Sequence, residues 1–338
     1  MNPATGHRPL VSVIIPVKNG AATLEACLHA LRRSYYGNFE VIIANDHSND
    51  QSVEIARRND CRIVEIEEEC GANSARNVGA RFAGGEIFVF LDADIIVTRE
   101  TILGIVETLA DDGIDAVVGI YTARHRHESL VSQYKNLWIR YSYIKSPPAI
   151  DWLFGSISGI RRDAFQRLGG FNTELLARDG HDDVELGKRF ARANLSIILD
   201  MEIEVEHLKR YTLGSFLVNE FHRSAGFSEL AARYGETLRA FGKGFVNVYP
   251  AFVASTIISF VVLLALIGAA SGFLPVWAAV SAAGVYLAIN IRFLNYLEQV
   301  RGLFAMVAMI PFLFIDHLVC LCGSVVGAFK SIRTPKEE

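Results

Sequence analysis

The sequence predicts an α/β fold with a mostly parallel central sheet, followed by a C-terminal α-helical membrane region. Short apolar runs alternate with helix-like segments through the first 247 residues. This alternation gives parallel strands joined by right-handed crossovers. Beyond that point the chain is dominated by long apolar stretches. One apolar run also ends at Asp92 and Asp94, and the carboxyl ends of strands form the edge where open α/β sheets bind ligands.

The alternation can be followed along the chain. The predicted strands cover residues 11–17, 39–44, 62–66, 86–91, 116–121 and 196–205. Helices are predicted at about 22–33 and 71–82, with another after the cluster 45–50. Asn, Asp and Ser dominate that cluster, and they favour turns and helix N-caps. We therefore expect one domain over residues 1–208.

The apolar excess lies at one end of the chain. Of 338 residues, 51% are hydrophobic and the mean hydropathy is +0.26, which is high for a soluble protein. Segments 248–271 and 274–293 approach the roughly 20 apolar residues that cross a hydrocarbon core about 30 Å thick. A buried helix in a large soluble core is the alternative. We predict amphipathic, interfacial helices over 209–247 and a membrane region over 248–338.

A third apolar segment, 303–329, is interrupted by Pro311 and by the adjacent Asp316 and His317. Basic residues precede this segment and others follow it. In membrane proteins, Lys and Arg are usually more frequent on the cytoplasmic side of a span. A re-entrant or interfacial helical hairpin would keep both basic groups on the cytoplasmic side. A single crossing would separate them. We favour the crossing, which leaves two to three spans.

Other features of the sequence indicate the cellular location of the protein and the partners that it could have. The first residues are polar and the next apolar run has the length of a strand, so no signal peptide is expected. Five cysteines, an odd number without metal-binding spacing, predict reduced thiols. The net charge of −4 gives no reason to expect a nucleic-acid partner. These features predict a multi-pass protein of a bacterial inner membrane whose first domain is cytoplasmic, in an unknown oligomeric state.

Asp92 and Asp94 are separated by one alanine at the end of the run FVFLDAD. Strand alternation predicts that both side chains point the same way. Two hard oxygen ligands at this edge can hold Mg²⁺ or Mn²⁺, which in turn binds a nucleotide diphosphate. Asp-x-Asp alone is a weak signal, so its interpretation depends on the surrounding motifs.

Those motifs resemble, over roughly residues 11–223, a family 2 glycosyltransferase of the GT-A fold. VSVIIPVKNG resembles the opening strand and turn, ANDHSND the nucleotide-binding turn, GANSARNVGA the Ala-Arg-Asn helix and LDADI the metal motif. SGIRRDAFQRLGGFNTEL and HDDVELGKRF resemble the acceptor-side segment and the catalytic-base helix. The resemblance implies a Rossmann-like GT-A domain that uses a nucleotide sugar, most simply a UDP-sugar, with Mn²⁺ or Mg²⁺.

The resemblance also gives roles to the acidic residues of the donor side. Asp92 would contact the ribose or the donor sugar, and both carboxylates are candidate metal ligands, with Asp94 the direct one. The metal would neutralise charge on the departing diphosphate. Asp46 can accept the N3 proton of uracil, with simple helix capping as the alternative. Asn45 stands where the family usually has an acidic residue, which leaves the base preference open.

Further donor contacts are expected at the first turn and from two arginines. Pro16, Lys18 and Asn19 would close that turn so that backbone lines the nucleotide. Arg76 can reach the base or the diphosphate with its planar fork, or it can be a solvated helix residue. Arg223 ends the string closest to the Gln-x-x-Arg-Trp motif of membrane glycan synthases, and the missing tryptophan argues against a processive synthase. It can bind diphosphate, or a lipid headgroup, or be structural.

Sugar transfer also needs a group that deprotonates the acceptor. The family pattern puts this base on Asp183, and the adjacent Asp182 is either a second candidate or a helix cap. His207, after the last strand, can complete the metal ligands or be structural. Attack by a base-activated hydroxyl in a single displacement inverts the anomeric centre. The expected acceptor is a hydroxyl of a lipid or lipid-linked saccharide, because the membrane region holds the domain beside the bilayer.

Three alternatives remain open. A polyprenyl-phosphate glycosyltransferase attacks with an anionic phosphate and needs little base, which Asp183 argues against. A nucleotidyltransferase would show a glycine-rich basic loop after the first strand, and residues 17–21 lack one. A non-catalytic membrane subunit would have no physical need for Asp92, Asp94 and Asp183 together.

Overall fold

The computed structural model describes residues 7–173, 181–235, 246 and 248–333, apart from the side chains of Asp182, Ile332 and Arg333. The chain divides into two compact units. The first unit comprises Met1–Arg126 and Ser146–Lys209, and the second His127–Lys145 and Arg210–Glu338. The boundary expected between residues 208 and 209 lies one residue before the point where the second unit resumes, at Arg210. The segment 127–145, which the sequence placed in the first domain, groups with the second unit because its aromatic side chains pack against the C-terminal helices.

The first unit is built on one nine-stranded sheet. Its strands are β1 (Val11–Val17), β2 (Phe39–Asn45), β3 (Arg62–Glu65), β4 (Ile87–Leu91), β5 (Ile95–Val97), β6 (Ala116–Tyr121), β7 (Ala149–Ile150), β8 (Ile157–Arg161) and β9 (Ile197–His207). Their order is β3-β2-β1-β4-β8-β6-β9-β5, with β7 paired to β9. Strands β3 to β4 in this order are parallel, and β8 runs antiparallel to both β4 and β6. The predicted α/β class is confirmed, with a sheet that becomes mixed beyond β4.

The helices of the first unit are short. They are α1 (Ala21–Leu31), α2 (Ser52–Arg58), α3 (Ala72–Arg81), α4 (Thr101–Thr108), α6 (Arg162–Arg167) and α7 (Asp182–Arg192), whereas α5 (Leu130–Ile144) belongs to the second unit. Helix α3 lies close to the parallel strands because Gly79 faces β1. A β-carbon at Gly79 would lie 2.7 Å from Ile14 Cγ2. The carboxyl-terminal half of α3 therefore packs directly against β1 and β2.

The second unit is helical. It contains α8 (Leu213–Arg233), α9 (Pro250–Ala270), α10 (Val276–Ile289), α11 (Ile291–Arg301) and α12 (Leu303–Arg333) in addition to α5. Among the described residues, two helices, α9 and α12, are long and apolar enough to cross a membrane. The pair α10 and α11 reaches that length only jointly, across a 67° bend. Two candidate spans, or three if the bent pair counts as one, agree with the predicted membrane region.

Two details of the predicted spans are corrected. The second segment was expected to be one helix near full spanning length, but α10 has 14 residues, or about 21 Å. It ends at Asn290, whose side-chain amide donates to Tyr286 O at 2.9 Å and so caps the helix. The hairpin considered for the third segment is not formed, because α12 continues through Pro311 as one helix of 31 residues.

The polar pair in the third segment is enclosed by protein. Asp316 and His317 are fully buried. Tyr134 Oη donates to Asp316 Oδ2 at 2.7 Å, and Tyr286 Oη lies 2.7 Å from His317 Nδ1. Ionisable groups within apolar helices are tolerated where other side chains satisfy them. Side chains of the protein therefore surround the polar pair within the continuous helix.

Helix α8 occupies the segment predicted to be amphipathic, and the face that it buries within the second unit is partly charged. Glu220 is 4% exposed and its Oε1 lies 2.5 Å from Lys135 Nζ of α5. Val218, on another face, is 60% exposed. Attraction to Lys135 outweighs burial, so the pKa of Glu220 lies below its ordinary value even though burial alone would raise it. An ion pair thus joins α8 to α5.

Helices α8 and α12 approach closely at two glycines spaced Gly-x-x-x-Gly. A β-carbon at Gly323 would lie 2.4 Å from Phe221 O, and one at Gly327 would lie 2.1 Å from Ala225 O. Small residues at this spacing allow two helix backbones to approach. We expect Gly327→Ala to lower the melting temperature of the detergent-solubilised protein by about 3–10 °C, because overpacking costs about 1–3 kcal/mol.

Gly284→Ala on α10 is the matched control, since a β-carbon there meets nothing within 4 Å. Both changes raise intrinsic helix propensity equally, so the difference between the two melting temperatures isolates the crowding. Equal melting temperatures would contradict the close crossing.

Candidate active site

Asp92 and Asp94 lie in a turn between two strands. Strand β4 ends at Leu91 and β5 begins at Ile95, and Ile95 N donates to Asp92 O at 3.2 Å to close the turn. The expectation that strand alternation points both carboxylates the same way is therefore wrong, because the strand stops before them. The two side chains have different partners.

Asp92 is held by two donors. Arg76 Nη2 donates to Asp92 Oδ1, and Ser156 Oγ donates to Asp92 Oδ2 at 2.7 Å. Ser156 Oγ in turn accepts from Tyr121 Oη at 2.9 Å. Charge-assisted bonds of this kind are roughly twice as strong as neutral ones. The Asp92 carboxylate is thus fixed in position before any substrate arrives.

Arg76 is 5% exposed, so it is not the solvated helix arginine of the alternative interpretation. Besides Asp92, it donates to Gly155 O at 3.1 Å and to Asn73 Oδ1 at 2.5 Å. Its guanidinium carbon also lies 5.9 Å from the centre of the Phe171 ring. These contacts make Arg76 a residue that positions Asp92, and a direct donor contact from its Nη atoms would have to replace one of them.

Asp94 lies beside His207. The antiparallel pairing of β5 with β9 sets Ile95 opposite His207, and Leu208 N donates to Asp94 O at 2.8 Å. His207 Nε2 is 3.3 Å from Asp94 Oδ2, and the imidazole stacks on the Tyr121 ring at 4.5 Å. Two residues more than a hundred positions apart are therefore brought together by strand pairing.

The electrostatics of Asp94 favour an ionised carboxylate. Burial raises the pKa of this carboxyl, but the hydrogen bond and charge of His207 and the charge of Lys209 outweigh burial, so the pKa lies below its ordinary value. Asp94 Oδ1 is buried and has no hydrogen-bond partner among the described residues. Buried carboxylate oxygens are normally satisfied, so this atom calls for a cation or a donor from a ligand.

The donor set at Asp94 fits a divalent cation. Carboxylate oxygen and imidazole nitrogen are both ligands of Mn²⁺, and Asp94 with His207 supplies one of each. Asp92, in contrast, is engaged by Arg76 and Ser156. Within the described ranges, no group of three converging ligand atoms includes Asp92, Asp94 and His207. Asp94 and His207 are therefore the two predicted ligands that the structure brings together.

A compact group of possible ligands does occur in the second unit, where Glu220, Asp316 and Cys320 converge. All three are buried. The ammonium of Lys135, 2.5 Å from Glu220 Oε1, already supplies a positive charge there. We therefore assign this group to the interior packing of the helices and not to a metal.

Asp46 is buried, and both of its oxygens accept from backbone N–H groups. Oδ1 accepts from Cys70 N and Oδ2 from Gly71 N, each at 2.9 Å. Gly71 precedes α3 and has φ +81, a conformation that favours glycine. Asp46 thus binds the start of α3, which is a capping role, although for a different helix from the one that directly follows it. Asn45 Nδ2 donates to Glu65 Oε2 at 2.6 Å.

The turn that follows β1 is hydrogen-bonded to the turn that follows β2. Asn19 has φ 54, and its N–H donates to Ser48 Oγ at 3.0 Å. Pro16 does not close the turn as expected, because it lies inside β1 with a β-strand partner on β2. Lys18 pairs with Glu69 at the surface. Of the three predicted first-turn contacts, Asn19 is the residue that shapes the loop.

Asp183 lies in the first turn of α7 and is half-buried. Its Oδ2 accepts from Gly155 N at 2.8 Å, and its Oδ1 accepts from Val184 N at 2.8 Å. The carbonyl of the same Gly155 accepts from Arg76. One residue therefore links the candidate base to the Arg76–Asp92 pair. The side chain of Asp182, the other candidate, lies outside the described part of the chain.

Sequence reasoning missed Gly155 and Ser156. The available signal was a Gly-Ser pair directly before the apolar run that forms β8. Their position depends on α7, because Gly187 allows the helix to pack on this segment: a β-carbon there would lie 2.3 Å from Trp152 Cα. The remaining predicted donor residue, Arg223, belongs to the second unit, where its guanidinium carbon lies 5.7 Å from the centre of the Phe227 ring.

The model of glycosyl transferase family 2 matches residues 12–169. The chain carries a family 2 glycosyltransferase domain. The matched range includes Asp46, Arg76, Asp92 and Asp94, and it ends before Asp183. The predicted enzyme class is confirmed, and the match contradicts the nucleotidyltransferase alternative.

Relatives extend the likeness beyond that range. Glycosyltransferase AglE of Haloferax volcanii is 29% identical over 238 residues, which cover 66% of this chain and 74% of the relative. Validoxylamine A glucosyltransferase of Streptomyces hygroscopicus subsp. jinggangensis is 27% identical over 256 residues, or 64% of this chain and 60% of that protein. This glycosyltransferase therefore matches less than two thirds of the second relative.

A solved structure gives the fold. The mannosyltransferase PcManGT of Pyrobaculum calidifontis, in complex with GDP-Man and Mn²⁺, superimposes with a TM-score of 0.58 at 21% identity. The likeness covers 97% of this chain and 88% of that one. The expected GT-A fold is confirmed. Transfer of a sugar from a nucleotide sugar is the reaction that the family match supports for this glycosyltransferase.

Gly155 provides a test of the link between Asp183 and Arg76. A β-carbon there would lie 3.2 Å from Arg76 Nη2 and 3.4 Å from Asp183 Oδ2. We expect Gly155→Ala to displace the guanidinium and to lower kcat for sugar transfer by about 10- to 100-fold, because misplacement by about 1 Å can cost 100-fold. Steady-state kinetics of nucleotide release would measure the loss.

Gly37→Ala is the control, since a β-carbon at Gly37 meets nothing within 4 Å. It should leave kcat within about twofold of the parent value, as surface changes usually do. A normal kcat in Gly155→Ala would show that the Arg76–Asp92 pair does not depend on this close approach.

Proposed function

We propose that this glycosyltransferase transfers a sugar from a UDP-sugar to a hydroxyl of a lipid or lipid-linked saccharide, with inversion, at the cytoplasmic face of a membrane. The observation that carries the proposal is the double contact of Gly155, which joins Asp183 to the Arg76–Asp92 pair. A base and a donor-side carboxylate are thereby held at one edge of the sheet, as a single-displacement transfer requires.

On the donor side, Asp94 and His207 would hold a divalent cation, Mn²⁺ or Mg²⁺. When bound, this cation stabilises the negative charge on the departing diphosphate. The Mn²⁺ and GDP-Man in the PcManGT complex support a divalent cation and a nucleotide sugar. Asp92, immobilised by Arg76 and Ser156, keeps lone pairs free on both oxygens and can accept a hydroxyl of the ribose or of the sugar.

On the acceptor side, Asp183 acts as the general base. Its two oxygens are oriented by the backbone N–H groups of Gly155 and Val184. The acceptor proton moves to the carboxylate as the acceptor oxygen bonds to the anomeric carbon. The bond from that carbon to the diphosphate oxygen breaks on the opposite face, which inverts the centre.

Asp46 supports the choice of uridine. Each of its oxygens accepts one backbone bond, which leaves acceptor capacity for the N3–H of uracil. Guanine offers N1–H and an amino group instead, so GDP-sugars are the competing donors. The candidate spans α9 and α12 support an acceptor that is itself membrane-bound.

The experiment uses the purified full-length protein with UDP- and GDP-sugars, Mn²⁺ or Mg²⁺, and a membrane lipid extract. We expect nucleotide release and a matching gain of mass in a lipid, both abolished by a chelator. Transfer confined to GDP-sugars would overturn the base assignment. Nucleotide release without any lipid product would overturn the acceptor class.

A polyprenyl phosphate is the second candidate acceptor. Transfer to an isolated polyprenyl phosphate that is insensitive to Asp183→Asn would favour it over a hydroxyl acceptor, because an anionic phosphate needs little base.

A further inference from the structure

A cavity of about 320 Å³ lies in the second unit, where α5 ends, α9 begins and α10 meets α11. Its volume is about ten times the roughly 30 Å³ that a water molecule occupies in the liquid. The cavity belongs to the helical unit and shares no residue with the candidate active site. Its chemistry is set by two cations and three aromatic rings.

The cations are Lys145, directly after α5, and Arg292, in the first turn of α11. Both are exposed, and among the described residues neither forms an ion pair. The described residues that line the cavity include no carboxylate. Two like charges that line one cavity repel each other unless an anion enters between them.

The start of α9 adds to this positive field. Pro250 and Ala251, its first two residues, line the cavity, and the helix has 21 residues. The amino-terminal end of such a helix carries a partial positive charge that favours phosphate. The helix end reinforces the two side-chain charges that define the cavity.

The aromatic lining indicates where the cavity would lie relative to a membrane. Tyr141, Tyr249 and Phe293 form its wall, with the Tyr141 ring 6.0 Å from Tyr249 and 5.0 Å from Phe293. Tyrosine is enriched where membrane helices meet the headgroups. Since α9 is a candidate span that begins at Pro250, the cavity lies at one end of a span. Charges and rings are thus placed where lipid headgroups would be.

We propose that this cavity binds the phosphate headgroup of an anionic membrane lipid, with Lys145 and Arg292 on the phosphate and the tyrosines beside the glycerol and upper acyl carbons. Basic pockets between membrane helices bind anionic headgroups in this way. The inference rests on the membrane embedding of the proposed function and is independent of the transferred sugar. Such a lipid anchors the junction of α5, α9 and α11.

The test is lipid binding by the full-length protein, measured by native mass spectrometry in detergent without a donor sugar. The probes are phosphatidylglycerol and the zwitterionic phosphatidylcholine. We expect tighter binding of phosphatidylglycerol, and an affinity about 30-fold weaker in Lys145→Gln/Arg292→Gln, since each basic group near a membrane surface contributes about fivefold.

Two further variants make the result specific. Arg58→Gln/Arg81→Gln removes the same charge from exposed positions of the first unit and should bind lipid as the parent does. Lys145→Arg/Arg292→Lys keeps both charges and should retain most of the affinity. A monodisperse elution profile and an unchanged melting temperature would show that the glutamine variant is folded.

Equal affinity for the two lipids, or unchanged binding in the glutamine variant, would overturn the proposal. Displacement of the lipid by inorganic phosphate at comparable concentration would assign the site to a free anion instead. Because no sugar donor is present, failure of the proposed transfer reaction would leave the lipid-binding result intact.

Discussion

Asp94→Asn is expected to lower kcat for sugar transfer by about 10³-fold. The amide keeps the size of the side chain and removes the charge that a divalent cation needs. In the parent protein Asp94 Oδ1 is buried without a hydrogen-bond partner among the described residues. The other oxygen, Oδ2, lies 3.3 Å from His207 Nε2, so the metal-free variant should lose a part of the stability that this pair contributes.

The measurement that separates this role from misfolding is the thermal shift caused by Mn²⁺. A ligand at 100 times its Kd stabilises a protein by about 2.7 kcal/mol. We expect this shift in the parent protein and its loss in Asp94→Asn. Asp60→Asn, at a side chain 94% exposed, is the control and should keep both the shift and the activity. A full Mn²⁺-induced shift in Asp94→Asn would place the metal elsewhere.

Asp183→Asn is expected to lower kcat with a hydroxyl acceptor by about 10²- to 10⁴-fold, because general-base catalysis contributes that much. The asparagine side-chain oxygen can still accept from Gly155 N, so the local fold should persist. The KM for the nucleotide sugar should change little, since the proposed role of Asp183 is to act on the acceptor and not on the donor. Kinetics with saturating donor and varied acceptor would measure the effect.

Asp163→Asn is a matched control for this change. Asp163 also lies in the first turn of a helix, α6, and accepts from the N–H of the next residue, Ala164, at 2.9 Å. Loss of a helix-start carboxylate by itself should lower the stability by at most about 2 kcal/mol and should leave kcat unchanged. Equal kcat values for the two variants would remove Asp183 from the catalytic step.

The sheet and the candidate spans were accessible from the sequence because their signals are local. Each continuous apolar run in the parallel half of the sheet indicates a strand that is buried on both faces. The short strands β5, β7 and β8 were not predicted. Strand β5 has three residues and β7 has two, too few for a periodic pattern, and β8 is interrupted by Gly159.

The bend after α10 depends on one polar residue, which the mean hydropathy of the segment does not reveal. The segment 274–293 is apolar enough to suggest a single helix, yet Asn290 caps α10 with its side chain and the chain turns by 67° into α11. Ser255 Oγ donates to Asn290 Oδ1 at 3.2 Å and holds the capping amide from a neighbouring helix. The bend depends on a partner 35 residues away.

The candidate site divides in the same manner. The sequence identified Asp92, Asp94 and Asp183, because carboxylates after apolar strands and at helix starts form recognisable local patterns. It gave Arg76 a nucleotide contact, whereas the structure pairs its guanidinium with Asp92. It left His207 undecided between ligand and structural roles. Strand pairing across the sheet placed that imidazole beside Asp94.

The sequence by itself therefore determined the α/β class, the glycosyltransferase motifs, the candidate membrane helices and the acidic residues of the site, since each follows from composition or spacing within one segment. Only the tertiary structure decided how those residues are paired. The bonds Ser156 to Asp92 and Gly155 to Asp183 join positions 64 and 28 residues apart. Such pairings depend on which strands and helices meet, and therefore on the packing of the whole unit.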